Sequence, residues 1–195
     1  MTRAEESFAP VLEVAALFSN LRCPWFIAGG WAIDIFLREV TRIHDDVDVA
    51  IWRRDQRTVR RFLEDWTFEK SVEGRVEPWR DGEWLALPIH EIHARRSAGT
   101  PLEIELLLNE AANGRWVFRR DARITRPLSK TVLRARSGVP FLGPEIVLLY
   151  KAKKTKTKDV ADFNHALPRL GPEHRRWLHR ALETCHPDHP WIARL

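Results

Sequence analysis

The sequence predicts an α+β fold in which a mixed, mostly antiparallel sheet is flanked by helices and followed by a C-terminal helical segment. Short apolar runs typical of strands alternate with helical patterns through the first two thirds of the chain. Their order is irregular, which favours α+β over a regular βαβ repeat. After Pro144 the pattern is helical as far as residue 185. We therefore expect an α/β lobe over residues 1–128 and a helical segment over 129–195 that packs on it.

The individual elements follow from local patterns. Apolar residues at helical spacing predict a first helix over 10–20. Trp25-Phe26-Ile27-Ala28 indicates a short buried strand that Gly29-Gly30 closes, and a helix follows from Trp31 to Arg38. The other elements expected before residue 128 are strands at 47–52, 83–94, 101–108 and 116–118 and a helix at 55–65. Beyond it we expect a loop-rich stretch at 128–143 and helices at 145–153, 158–167 and 172–185.

Composition restricts the class of protein. The 195 residues are 44% hydrophobic and 30% charged, which is typical of a soluble globular protein and excludes a disordered chain. The net charge of +5 favours an anionic partner such as a nucleotide or nucleic acid. Two cysteines, Cys23 and Cys185, supply neither a disulfide framework nor a zinc spacing, so we expect a cytoplasmic protein. We expect no signal peptide and no membrane helix, since no apolar run approaches the roughly 20 residues that spanning requires.

The most informative features are a Gly-Gly pair and an Asp-x-Asp motif. Gly29 and Gly30 offer backbone N–H groups that a phosphate can approach closely, at the start of a predicted helix. Asp46 and Asp48 flank the start of an apolar strand and point to the same face of it. Paired carboxylates repel each other unless a cation lies between them, and Mg²⁺ prefers such oxygen ligands. Most single Asp-x-Asp pairs are surface carboxylates, but together with the glycines this one predicts nucleotidyl transfer.

A third carboxylate is expected on a neighbouring strand. Glu103 and Glu105 share one face of the apolar run at 101–108, so either residue is a candidate. The third carboxylate would ligate the metal or accept the proton of an acceptor hydroxyl.

Residues 28–34 and 40–48 closely resemble the aminoglycoside 2''-nucleotidyltransferases and their lincosamide-modifying relatives, within the DNA polymerase β-like nucleotidyltransferase superfamily. The resemblance covers about residues 25–51. It implies the nucleotidyltransferase fold, with Gly29 and Gly30 on the triphosphate and Asp46 and Asp48 on Mg²⁺. The third carboxylate of the family opens a strand after a hydrophobic residue. Glu103 matches that position better than Glu105, although the family usually has Asp there.

Three basic residues are candidates for binding the nucleotide. Arg42 precedes the aspartates and could contact a phosphate oxygen, although an ordinary surface role explains it equally well. Similar enzymes place a basic residue of the C-terminal helical region on the triphosphate, which makes Lys151 and Lys153 candidates. A solvated charge run is the alternative for both lysines.

Two further patterns each allow a functional and a structural interpretation. His90-Glu91-Ile92-His93 does not have the spacing of a zinc motif, and in a strand its two histidines would point to opposite faces. The aromatic rings of Trp79, Trp84 and Trp116 suit either an acceptor pocket or the core.

The function expected from all of this is Mg²⁺-dependent transfer of a nucleoside monophosphate to a hydroxyl group. ATP is the expected donor, and an aminoglycoside-like small molecule is the first acceptor considered. The alternatives are an RNA or protein acceptor, as in toxin–antitoxin relatives, a non-catalytic nucleotide-binding module, and a partner protein whose basic tail docks on an acidic chain.

Overall fold

The computed structural model of the protein describes residues 8–96 and 102–195. Residues 1–7, where we expect no signal peptide, lie outside the described residues. Pro101, at the start of the strand predicted at 101–108, lies outside them as well. No helix in the described part of the chain is long and apolar enough to cross a membrane.

A mixed sheet dominates the described structure. Its strands are β1 Trp25–Ile27, β2 Val47–Trp52, β3 Trp66–Val72, β4 Arg75–Pro78, β5 Glu91–Arg96, β6 Glu103–Ala112, β7 Arg115–Val117, β8 Thr125–Pro127, β9 Val132–Arg134 and β10 Pro140–Leu142. The order across the sheet is β4-β3-β5-β6-β2-β1-β10-β9, and β7 and β8 continue from β6 as a hairpin. Only the pairs β2–β6 and β1–β10 are parallel among the described pairings. The predicted α+β class with a mostly antiparallel mixed sheet is confirmed.

Helices cover the sheet and form most of the C-terminal third. They are α1 Ala9–Leu17, α2 Gly29–Leu37, α3 Gln56–Phe62, α4 Leu128–Thr131, α5 Pro144–Lys151, α6 Thr157–Ala166 and α7 Pro172–Cys185. Helix α5 is apolar over most of its surface and packs against α2, α6 and α7. Tyr150 and Lys151, at the C-terminal end of α5, line the same cavity as Gly29 at the start of α2.

The core is continuous from the sheet into these helices. Phe26, Ile51, Ile104 and Leu106 are fully buried on the central strands, and Leu148 of α5 is fully buried as well. Such a core holds the ends of β1, β2 and β6 in a rigid arrangement, so functional groups at those ends are preorganised.

The structure differs from the predicted elements in three places. Strands β3, β4 and β8 are not predicted from the sequence, and in β3 polar residues interrupt the apolar pattern directly after α3. The predicted strand at 83–94 begins only at Glu91. The stretch at 128–143, expected to be loop-rich, contains α4 and the strands β9 and β10, and β10 lies beside β1 in the sheet. A division into units at residue 128 remains a prediction.

Candidate active site

Three carboxylates meet where the parallel strands β2 and β6 begin. Asp48 and Glu105 are direct partners in the register of these two strands. Asp46 precedes β2, and carboxylate oxygens of Asp46, Asp48 and Glu105 all lie within 4.8 Å of one another. Oxygen ligands at this spacing fit a hard divalent cation such as Mg²⁺.

Glu103 does not join this cluster. Its side chain is half exposed, and its Oε1 lies 3.0 Å from Nε of Arg95. Glu103 instead opens β6 two residues before Glu105, opposite Arg95 on the antiparallel strand β5. The structure therefore brings together Asp46, Asp48 and Glu105, while the position expected from the family pattern forms an ion pair on the sheet surface.

Burial and mutual repulsion dominate the electrostatics of the cluster. Burial raises the pKa of Glu105 to about 10, and the charges of Asp48 and Glu91 add to the effect. Burial also raises the pKa of Asp48, and the charge of Asp46 acts in the same direction. A bound cation would relieve both effects, because it stabilises the ionised carboxylates.

Glu91 and His93 extend the cluster along β5. Each offers a ligand atom within 4.8 Å of the other and of a Glu105 oxygen. His93 faces Glu105 directly across the antiparallel pair. Sequence reasoning weighed this segment only as a zinc motif. The signal that identifies Glu91 is the strand register, which the sequence does not reveal.

The two glycines let helix α2 begin in contact with the site. Gly29 has a left-handed φ of +56°, and a Cβ at this position would overlap Oδ2 of Asp48. A Cβ at Gly30 would overlap the side chains of Arg42 and His44. Helix α2 has no side-chain cap at its start, so its first N–H groups are available to an anion.

Helix α2 also fixes the loop that carries Asp46. Asp34, fully buried, accepts a hydrogen bond from Thr41 Oγ1 at 2.7 Å and lies 2.6 Å from Nε2 of His44. The His44 ring stacks on Trp31 with centroids 4.3 Å apart. Trp31 Nε1 in turn donates to the carbonyl of Asp46 at 2.9 Å. Sequence reasoning missed Asp34, although it lies within the motif that carries the family resemblance.

Arg42 and Lys151 converge on one buried carboxylate. Arg42 donates to both oxygens of Asp162, at 3.0 and 3.3 Å. Lys151 Nζ lies 2.9 Å from the same carboxylate and 2.6 Å from Asp159. Burial opposes ionisation of Asp162, but the hydrogen bonds and charges of Arg42 and Lys151 hold its pKa below the usual value. Lys153 is exposed beyond the end of α5, in a separate surface cavity that Lys151 also lines.

A cavity of about 240 Å³ opens beside the carboxylates. Gly29 lines it, together with the charged side chains of Asp48, Glu91, Glu105, Arg119, Arg120 and Lys151. Tyr150 lies on its wall, where burial raises the pKa of the phenol to about 12.

Two of the three candidate tryptophans belong to the core. Trp116 is fully buried and donates to Oδ1 of Asn109, and Trp79 packs edge-on against Phe68. Trp84 is about half exposed and stacks with Arg57.

Comparison with known proteins identifies the family of the chain. A family model described as aminoglycoside-2''-adenylyltransferase matches residues 10–137. The chain belongs to this family. The predicted resemblance and the predicted class of enzyme, a nucleotidyltransferase, are thereby confirmed. No curated protein gives a significant match.

Solved structures share the fold of this aminoglycoside-2''-adenylyltransferase family member. The solution structure of the antibiotic-resistance factor ANT(2'')-Ia is 18% identical, with a TM-score of 0.62 over 94% of this chain and 95% of that one. A crystal structure of ANT(2'')-Ia in complex with adenylyl-2''-tobramycin is 19% identical, with a TM-score of 0.58 over 94% and 99%. The lincosamide adenylyltransferase LnuA, bound to lincomycin, is 15% identical, with a TM-score of 0.56 over 80% and 94%. These likenesses confirm the nucleotidyltransferase fold.

Proposed function

We propose that the protein is a Mg²⁺-dependent nucleotidyltransferase that transfers AMP from ATP to a hydroxyl group of a small molecule. The observation that carries this proposal is the cluster of Asp46, Asp48 and Glu105 beside the uncapped start of α2. Carboxylates for a metal and N–H groups for a phosphate are the two requirements of nucleotidyl transfer.

Asp46 and Asp48 are the proposed metal ligands, and Glu105 completes the set. All three side chains supply the oxygen ligands that Mg²⁺ prefers. When bound, Mg²⁺ would neutralise charge on the triphosphate and make the α-phosphorus more electrophilic. Glu103, the candidate from the sequence, is replaced in this proposal by Glu105, because the ion pair with Arg95 engages Glu103.

The triphosphate would lie against Gly29 and Gly30. Arg42 and Lys151 supply positive charge there, since Asp162 orients both side chains and Gly30 leaves room for Arg42. Asp159 also pairs with Lys151, so these two carboxylates hold the two cations in place, and the N–H groups of Arg42 and Lys151 would contact the phosphate oxygens. Lys153, also a candidate from the sequence, would act more weakly on the nucleotide because it is exposed.

Glu105 is the proposed acceptor of the hydroxyl proton. The acceptor oxygen would attack the α-phosphorus, the bond from that phosphorus to the bridging oxygen would break, and pyrophosphate would leave with the electron pair. The proton would pass to a Glu105 oxygen. Glu105 must be ionised to accept this proton, and a cation held by the cluster would favour that ionised form, which burial and the charges of Asp48 and Glu91 otherwise disfavour.

The solved neighbours support the choice of AMP and of a small acceptor. ANT(2'')-Ia has been seen with adenylyl-2''-tobramycin, and LnuA is described as an adenylyltransferase. Both acceptors are small molecules, which makes an RNA or protein acceptor the less favoured alternative.

Mass spectrometry after incubation with Mg²⁺ and each of the four NTPs tests the proposal. Separate reactions contain aminoglycosides, lincosamides, other hydroxyl compounds, tRNA or the protein alone. We expect a mass gain of one AMP on a small molecule, with ATP only, that Asp48→Asn abolishes. Mg·ATP binding by calorimetry without transfer to any acceptor would favour the non-catalytic binding module, and unchanged Mg·ATP binding in Asp48→Asn would contradict the metal assignment.

A further inference from the structure

Two arginines line the cavity beside the proposed catalytic carboxylates. The guanidinium carbons of Arg119 and Arg120 lie 5.1 and 5.3 Å from the centroid of the Tyr150 ring. Arg120 donates to the carbonyl of Tyr150 at 3.0 Å. The guanidinium of Arg119 forms no ion pair and no hydrogen bond with any residue in the ranges 8–96 and 102–195.

Bringing these two cations together is unfavourable without an anion. Burial, with a smaller contribution from the charge of Arg120, lowers the pKa of Arg119 to about 10. Arg119 remains charged at neutral pH, so a half-buried positive charge faces the cavity beside a second one. Clustered guanidinium groups favour an anion between them, just as clustered carboxylates favour a cation.

The acids of the cavity do not balance these arginines. Asp48 and Glu105 are the proposed metal ligands, which leaves Glu91 as the remaining carboxylate of the cavity lining. On the same sheet face, Glu69 and Glu103 are both paired with Arg95. A ligand with several amino groups would therefore meet two arginines and few free carboxylates.

We infer that the acceptor carries an anionic group, a phosphate or a carboxylate, and that Arg119 and Arg120 bind it. This inference rests on the proposed nucleotidyl transfer and names the class of acceptor. The triphosphate of the donor has Arg42, Lys151 and the start of α2, so the anion at Arg119 is a second one. A polycationic aminoglycoside is correspondingly disfavoured as the acceptor, because its amines would be repelled.

Protection of the arginines from phenylglyoxal tests the inference in the full chain. Labelling of each arginine is followed by mass spectrometry with Mg²⁺ and α,β-methylene-ATP at saturation, first alone and then with inorganic phosphate or tobramycin. We expect phosphate to slow labelling of Arg119 at least threefold and tobramycin to leave it unchanged. Labelling of Arg115, which lies outside the cavity and bonds Thr125, serves as the internal control.

Three results would overturn the inference. Full protection by the nucleotide analogue alone would assign the arginines to the donor. Absence of protection by phosphate would show that no second anion binds, and protection by tobramycin would show that a polycation is accepted.

A double variant separates this inference from the proposed function. Arg119→Gln/Arg120→Gln should keep the calorimetric affinity for Mg²⁺ with α,β-methylene-ATP within about twofold. It should also lose the rise in Tm that phosphate produces in the nucleotide-bound protein, whereas Arg115→Gln keeps that rise. Failure of the wild-type protein to bind the nucleotide analogue would contradict the proposed function itself. A fall in nucleotide affinity in the double variant alone would contradict the inference.

Discussion

Asp48 and Glu105 lie directly opposite each other on the parallel strands β2 and β6. Parallel pairing makes the two side chains project from the same face at the same level. The register therefore selects Glu105, and not Glu103, as the third carboxylate of the cluster with Asp46.

Glu103 and Glu105, which share one face of β6, provide a matched test of this register. Glu105→Gln should lower Mg²⁺-dependent transfer, measured as pyrophosphate release, by about 100-fold or more, in the range of a lost general base. Glu103→Gln should change it less than threefold, because Glu103 pairs with Arg95 on the surface. A larger loss of transfer in Glu103→Gln than in Glu105→Gln would identify Glu103 as the third carboxylate.

The stability of the metal-free protein should depend on pH through Glu105. Its pKa is about 10 in the folded protein against 4.5 for the ordinary group, so the folded state holds a proton that the unfolded chain releases. The contribution of this group to stability is thus fully present below about pH 4.5 and declines as pH rises towards 10. Glu105→Gln lacks this decline, so its Tm advantage over wild type, measured by calorimetry without divalent cations, should grow from pH 5 to pH 9. Adding Mg²⁺ at pH 8 should raise the Tm of wild type and not of the variant. A constant Tm difference across this range would contradict the assignment.

Gly29 should tolerate no side chain. Gly29→Ala places a Cβ on Asp48 Oδ2 and adds the strain of a left-handed φ, so we expect loss of Mg·ATP binding as well as lower stability. Gly74→Ala is the control, because Gly74 also has positive φ but its Cβ would meet no atom within 4 Å. That variant should lose roughly 1–2 kcal/mol in denaturant unfolding from strain alone and keep normal activity. Equal losses of Mg·ATP binding in both variants would show that the contact with Asp48 is irrelevant.

Lys151 and Lys153 should differ in their effect on the nucleotide. Lys151→Met removes a cation that Asp159 and Asp162 orient, and we expect the calorimetric Kd for Mg·ATP to rise at least tenfold. Lys153→Met should raise it less than threefold, because exposed charges act weakly through solvent. Thermal unfolding of both variants shows whether loss of the Lys151 ion pairs with Asp159 and Asp162 destabilises the fold, since Asp162 keeps its hydrogen bonds from Arg42. A Lys151→Met protein that is folded and binds Mg·ATP normally would exclude Lys151 from the nucleotide site.

Part of the site is predictable from short sequence patterns. Gly29 and Gly30 define the start of a helix, and the spacing of Asp46 and Asp48 predicts two carboxylates on one face of a strand. Both features depend on backbone rules that act within a few residues. The basic residues Arg42 and Lys151 could be proposed as candidates, but not located.

The amino-acid sequence by itself determined the α+β class, the Gly-Gly turn and the Asp-x-Asp pair, because these depend on local periodicity and backbone conformation. Only the tertiary structure decided between Glu103 and Glu105 as the third carboxylate. It also showed that Arg42 and Lys151 share the carboxylate of Asp162, and that Arg119 lines the cavity. Each of these relationships links segments that are distant in the chain. These relationships depend on strand register and helix packing, which are determined by how the whole core is buried. A pattern within a few residues does not contain that information.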